Sequence, residues 1–229
     1  MTIEFCVDSY LGALAAKSYG VKRIELCSAL SVGGLSPSIG LIKKCAEIKE
    51  VETHVMLRPH EESFIYKNAA LNTMLEDIYH IKNAGAKGVV FGCLNNLNEI
   101  NIKQNKVLIE LAKALNLETT FHRAFDYSNN PINSLSQIIE LGFNRLLTSG
   151  AEETAEKGME MIELLVKKSN GQIEIMAGCG VTEKNVLDIA KTGVDAIHFT
   201  IHKKNKETNE RGIKSIIDEK KINNILCQF

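Results

Sequence analysis

Residues 118–126, reading ETTFHRAFD, gather three side chains that do chemistry: His122, Arg123 and Asp126. The imidazole is a candidate general acid–base, the guanidinium a clamp for carboxylate or phosphate, and the carboxylate a partner that orients either. Glu25 and Arg58 complete the set, as a partner for the imidazole and a second clamp. Such a constellation suits catalysis on a small anionic or phosphorylated metabolite. Glycine-rich turns supply a further candidate. GCGV at 178–181 and SGA at 149–151 offer backbone N–H groups, so Gly178, Gly180, Val181, Ser149 and Gly150 form a candidate anion site. Thr182 is the expected N-cap of the helix after them.

These groups need strands to hold them. Apolar, β-branched runs predict strands at 3–7, 23–27, 53–58, 88–91, 118–122, 145–148, 173–177 and 196–200. Segments with helical spacing lie between them. Leu11, Leu14, Ala15 and Ser18 mark the first helix, and Ser36 before Pro37 marks the start of the second. Four helices end alike, as YGVKRIEL, AGAKGVVF, LGFNRLLT and TGVDAIHF: a C-cap glycine, a short link, then a buried strand. Eight βα alternations predict a single-domain (β/α)8 TIM barrel over 1–202. The alternative is a doubly wound open sheet. It lacks a G-x-G-x-x-G after the first strand.

Side chains alternate along a strand, and a barrel's outer set must be apolar to pack on helices. Parity then places Glu4, Cys6, Glu25, Cys27, His54, Met56, Arg58, Thr120, His122, Thr148, Met176 and His198 inside. An interior this polar must pair within itself, bind water or serve a ligand, because isolated buried charges are very costly.

Composition narrows the partners. The 229 residues carry 27 Lys+Arg against 28 Asp+Glu, a net charge of −1, with no Lys/Arg-rich run beyond short clusters such as those at 203–206 and 220–221. That argues against nucleic acid and acidic membrane. No apolar run approaches a membrane span and no signal peptide is visible, so the expected compartment is the cytosol. The six cysteines contain no C-x-x-C pair, which argues against a zinc knuckle and a disulfide framework.

The strings RIELCSALSVGGLSPS at 23–38, VMLRP at 55–59, FHRAFD at 121–126, LLTSGA at 146–151 and IMAGCGV at 175–181 resemble the CutC family. The resemblance spans the chain to about His202. It implies a (β/α)8 barrel, a cytoplasmic location, a homo-oligomer (dimer or tetramer) and a role in copper homeostasis through Cu(I). Cu(I) is soft and favours thiolate, thioether and imidazole. Cys6 and Cys27, inward on adjacent strands, are then the candidate ligands, with Met56, His198 and His122 as possible additions. The partner is thus a copper ion or a small anionic metabolite. Residues 203–229 read as an extension, polar to about Asn209 and then helical and apolar at Ile216, Ile217, Ile222, Ile225 and Leu226. It packs on the barrel, closing its bottom, or makes a subunit interface.

Overall fold

The computed structural model describes residues 1–204 and 215–229. The polar stretch at 205–214, with part of the 203–206 basic cluster, lies outside the described residues. The elements run β1 (Thr2–Val7), α1 (Tyr10–Ser18), β2 (Arg23–Leu26), α2 (Ile39–Ala46), β3 (Glu52–Met56), α3 (Asn68–Asn83), β4 (Gly88–Phe91), α4 (Ile102–Ala114), β5 (Glu118–Phe121), α5 (Pro131–Leu141), β6 (Arg145–Thr148), α6 (Met159–Ser169), β7 (Glu174–Gly178), α7 (Val186–Lys191) and β8 (Ala196–Thr200). All eight strands pair in parallel, and β1 pairs with both β2 and β8. The sheet is therefore a closed (β/α)8 barrel, and the open sheet is excluded.

Closure follows from the burial pattern. Phe5, Ile24, Leu26, Val55, Val89, Phe91, Phe121, Leu146, Ile175 and Ile197 face outward and are fully buried under the helices. Each contributes about 1.5–3 kcal/mol. The inner face separates into two small apolar clusters, Cys6, Cys27, Met56 and Val90 on one side and Leu147, Met176 and Ala196 on the other.

Charge fills the barrel's N-terminal end. Arg23 Nε lies 2.5 Å from Glu4 Oε2, and its Nη2 lies 2.5 Å from Glu174 Oε1. Arg145 Nε bonds Glu174 Oε2 at 3.0 Å, and its Nη2 bonds Glu118. His54, fully buried beside these cations, has its pKa pushed down to about 4 by desolvation and the Arg145 and Arg23 charges.

Several local expectations shift. Leu11 is exposed; α1 instead turns Gly12, Ala13 and Ala16 to the barrel. Ser38, not Ser36, caps α2 by accepting from Leu41 N–H. Ser36 Oγ accepts from Arg58 N–H at 3.0 Å and ties two loops together. On β6 the inward residue is Leu147, not Thr148. Asn185 caps α7, not Thr182, and α7 has only six residues. Ile216 and Ile217 lie in a strand, not a helix: β9 (His202–Lys204) pairs antiparallel with β10 (Ser215–Ile217), before α8 (Glu219–Leu226). Asp218 N–H donates to Ile201 O, Lys221 Nζ to Thr200 O and Gln228 Nε2 to Glu183 O. These contacts lie at the strands' C-terminal end, not at the barrel's bottom.

Candidate functional site

The C-terminal end of the barrel opens into a cavity of about 1170 Å³. Strand residues Cys6, Glu25, Met56 and His198 contribute its inner wall, and loop residues Arg58, Phe64, His122 and Arg123 its outer wall.

At the inner wall, β1 and β2 are in a register that sets Cys6 opposite Glu25. Cys27 follows β2 two residues on. Glu25 Oε2 lies 3.5 Å from Cys6 Sγ and 3.4 Å from Cys27 Sγ. One ligand atom from each of the three residues falls within 4.8 Å of the others, and all three residues are buried. Met56 joins the thiols in one apolar cluster. The β2–α2 loop covers them at Gly34, whose φ is +91°. A Cβ there would be strained by the positive φ and would crowd Cys27 Sγ at 3.1 Å, with Met56 Cε in contact at 3.5 Å.

The charge state of this cluster is set by His198. Its Nδ1 lies 2.8 Å from Glu4 Oε1 and its Nε2 lies 3.6 Å from Glu25 Oε2. Burial opposes the imidazolium, but Glu25, Cys6 and Glu4 outweigh it and hold the pKa well above the usual value. Glu4 is correspondingly held down at about 2: His198 and Arg23 overcome its desolvation. Glu25 goes the other way. Desolvation, helped by Cys6 and Glu4, lifts it to about 8 despite His198. The bond from Cys27, with help from His198, pulls the Cys6 thiol down, and the same bond with burial holds Cys27 up. Cys6 is therefore the sulfur nearest to thiolate at neutral pH.

Arg58 does not pair with Glu25. Its Nη1 donates to Val32 O and Gly34 O, and its Nη2 to Glu61 O and Glu62 O. The guanidinium thus clamps two loops by their backbones, with Phe64 stacked at 5.0 Å. Asp126 does not face the cavity as a catalytic partner. Its two oxygens accept from Arg123 Nε, Thr148 Oγ1, Ser149 N–H, Ser149 Oγ and Ala151 N–H. The SGA turn at 149–151 is therefore filled by the protein's own carboxylate. Ser149 N–H is spent on it, and Gly150 N–H is spent on Thr148 Oγ1.

His122 caps the 3-10 turn Arg123–Tyr127 by accepting from Ala124 N–H at Nδ1. That bond assigns the proton to Nε2. Burial and the Arg58 charge push the ring's pKa down to about 3, so His122 is neutral at pH 7 with Nε2–H as its donor. Phe64 stands edge-on to it, ring centroids 4.8 Å apart.

Of the glycine turn after β7, Gly180 and Val181 line the cavity. Gly178 does not. A Cβ on it would strike Leu147 at 2.7 Å and His198 at 3.2 Å, so close packing explains the glycine. Asn185, which the sequence did not single out, holds this turn: it accepts from Thr182 N–H and donates to Gly180 O. His202 has a side chain only 8% exposed and faces Asp8 at 3.4 Å.

Comparison with known proteins agrees with this architecture. The family model described as "CutC family" matches residues 1–203. A Vibrio cholerae protein named family protein CutC is 44% identical over 199 residues, covering 86% of this chain and 78% of that one. A Glaesserella parasuis protein of the same name is 42% identical over 201 residues, covering 87% and 82%. A solved chain from Streptococcus agalactiae, provisionally named copper homeostasis protein CutC, superposes with a TM-score of 0.82 at 32% identity, over 87% of this chain and 98% of that one. With the same barrel, and with relatives of this identity along most of its length, the chain belongs to the CutC family.

Proposed function

We propose that this protein handles Cu(I) in copper homeostasis, with Cys6 and Cys27 as the ligands and Met56 as a third, thioether donor. The observation that carries the reading is the convergence of two buried sulfurs on one carboxyl group at the cavity wall. The donor set is soft, as Cu(I) requires. Metal–sulfur bonds of about 2.3 Å need two sulfurs no farther apart than about 4.6 Å, close to the 4.8 Å limit within which these donors fall. Glu25, lifted to about 8, keeps its proton at neutral pH and so adds no negative charge beside the thiolates that metallation requires. His198 keeps its proton against Glu4 and balances the charge instead of ligating. His122 belongs to the other wall and is left out of the ligand set.

The reading includes a cytoplasmic homo-oligomer, as the family resemblance implies. In keeping with it, no helix among the described residues is long and apolar enough to cross a membrane.

The test is an anaerobic Cu(I) titration of reduced protein against a calibrated competing chelator. One Cu(I) per chain is expected, with binding lost in Cys6→Ser and in Cys27→Ser while both melt normally. Unchanged stoichiometry in the double variant would end the proposal.

A further inference from the structure

The thiol cluster accounts for one wall of the cavity and leaves the other without a ligand. We propose that this second wall is a separate site for the oxyanion group of a small organic acid, held by Arg123 and His122 beside the Arg58 charge.

Arg123 is built as a clamp with one edge already used. Nε is fixed to Asp126 Oδ2 at 2.8 Å and Nη2 to Ser149 Oγ at 2.9 Å. Nη1 has no partner among the described residues, and the side chain, 32% exposed, lines the cavity. A guanidinium anchored along one edge gives its remaining N–H groups to a ligand with little rotamer entropy left to lose. Asp126, which anchors it, is itself saturated by five donor groups and does not compete for the free edge.

His122 is the adjacent residue and supplies the second donor. It is 97% buried, lines the same cavity, and its Nε2 has no hydrogen-bond partner among the described residues. A buried N–H without an acceptor costs roughly 1–3 kcal/mol, which a ligand oxygen would recover. Nδ1 is committed to Ala124 N–H, so the ring cannot turn to hide the unused donor without losing that bond.

The sign of the ligand comes from Arg58. Its guanidinium is buried and bonds only to backbone carbonyls, with no carboxylate within 4.0 Å among the described residues. Of the acidic residues on the cavity wall, Asp8 faces His202 at 3.4 Å, Glu25 lies between the thiols and His198, and Glu61 and Glu62 are exposed and meet Arg58 through their backbone oxygens alone. A buried cation without a counter-charge favours an anion nearby. Phe64 covers this place, stacked on Arg58 and edge-on to His122, on a loop without regular structure.

The test uses reduced, metal-free protein titrated with malonate, with inorganic phosphate, and with chloride at matched ionic strength. The 15N resonance of His122 Nε2 and the melting temperature are followed together. Saturable movement of Nε2 and a rise in melting temperature are expected with malonate or phosphate and not with chloride. Which of the two acts first identifies a carboxylate or a phosphate ligand. Arg123→Lys and His122→Phe should each weaken the effect about tenfold or more, the loss of one charge-assisted bond. An Nε2 resonance unmoved by both anions in the wild type overturns the proposal, whatever the variants do. So does binding that is undiminished in a folded Arg123→Lys protein. Copper stoichiometry in Arg123→Lys should stay as in the wild type, so the two sites can fail independently.

Discussion

Replacing Asp126 by asparagine tests the claim that this carboxylate is an internal fastener and not a reacting group. The change conserves shape, so no cavity term enters. Oδ1 accepts from Thr148 Oγ1, Ser149 N–H and Ala151 N–H; Oδ2 accepts from Arg123 Nε, Ser149 N–H and Ser149 Oγ. Whichever way the amide is placed, its NH2 group faces two N–H donors that cannot reverse. Two bonds are lost, and the Arg123 charge loses its partner at 2.8 Å. The side chain of Asp126 is 4% exposed, so water cannot fully repair the loss. Breaking a pair of this kind costs about 3–5 kcal/mol. For a chain of this size each kcal/mol lowers the melting temperature by about 2–4 °C, so the expected drop is roughly 6–20 °C. Calorimetry at neutral pH measures it, and amide exchange at Ser149 and Ala151 should speed up in parallel. A drop of less than about 3 °C, within one kcal/mol, would refute the reasoning and return Asp126 to the list of free carboxylates.

Three further outcomes follow from the geometry. Gly34→Ala places a methyl 3.1 Å from Cys27 Sγ at a φ of +91°, so Cu(I) affinity should fall at least about tenfold in the competition titration while the barrel stays folded; unchanged affinity would detach the loop from the thiols. Arg23→Met removes the cation shared by Glu4 and Glu174 and should destabilise the protein by about 3–5 kcal/mol in urea melts, with a near-neutral effect refuting the ionic seal. The Glu4 pKa, held at about 2 against a usual 4.5, is a stability term present above pH 4.5 and lost as pH falls toward 2. It amounts to about 3 kcal/mol, and Glu4→Gln should flatten the acid limb of stability against pH by that amount. An acid limb identical to wild type would show that the carboxylate is not engaged.

The eight strands were legible because each is an apolar run, half of them after a helix-ending glycine, and local pattern suffices for that. Parity then carried Glu4, Cys6, Glu25, His54, Met56 and His198 to their observed places. It failed on β6, where Leu146 and Leu147 are adjacent and equally apolar, so the run alone does not say which points inward. Arg23 and Arg145 were within reach of the same rule. They open their strands two positions before inward residues, yet a charge at a strand's first residue reads as solvated until a closed barrel surrounds it. Ser36 next to Pro37 has the chemistry of an N-cap, but its hydroxyl is claimed by Arg58 N–H on another loop, a contact with no local trace. Asp126 was legible only as far as its local pair with Arg123; its other partners, like those of Arg58, lie on a turn and loops that meet only in the folded chain.

Arg58 grips Val32, Gly34, Glu61 and Glu62 through carbonyl oxygens, a feature every residue type possesses. The clamp therefore does not read the identity of the side chains on either loop. Substitutions there that spare the backbone path can change what faces the cavity while the loops stay at the same height above the thiols. The rim of this barrel is in that sense free to diversify, by drift or by design, around a fixed grip, and the positions that cannot join in are Arg58 itself and Gly34, where a Cβ would crowd Cys27.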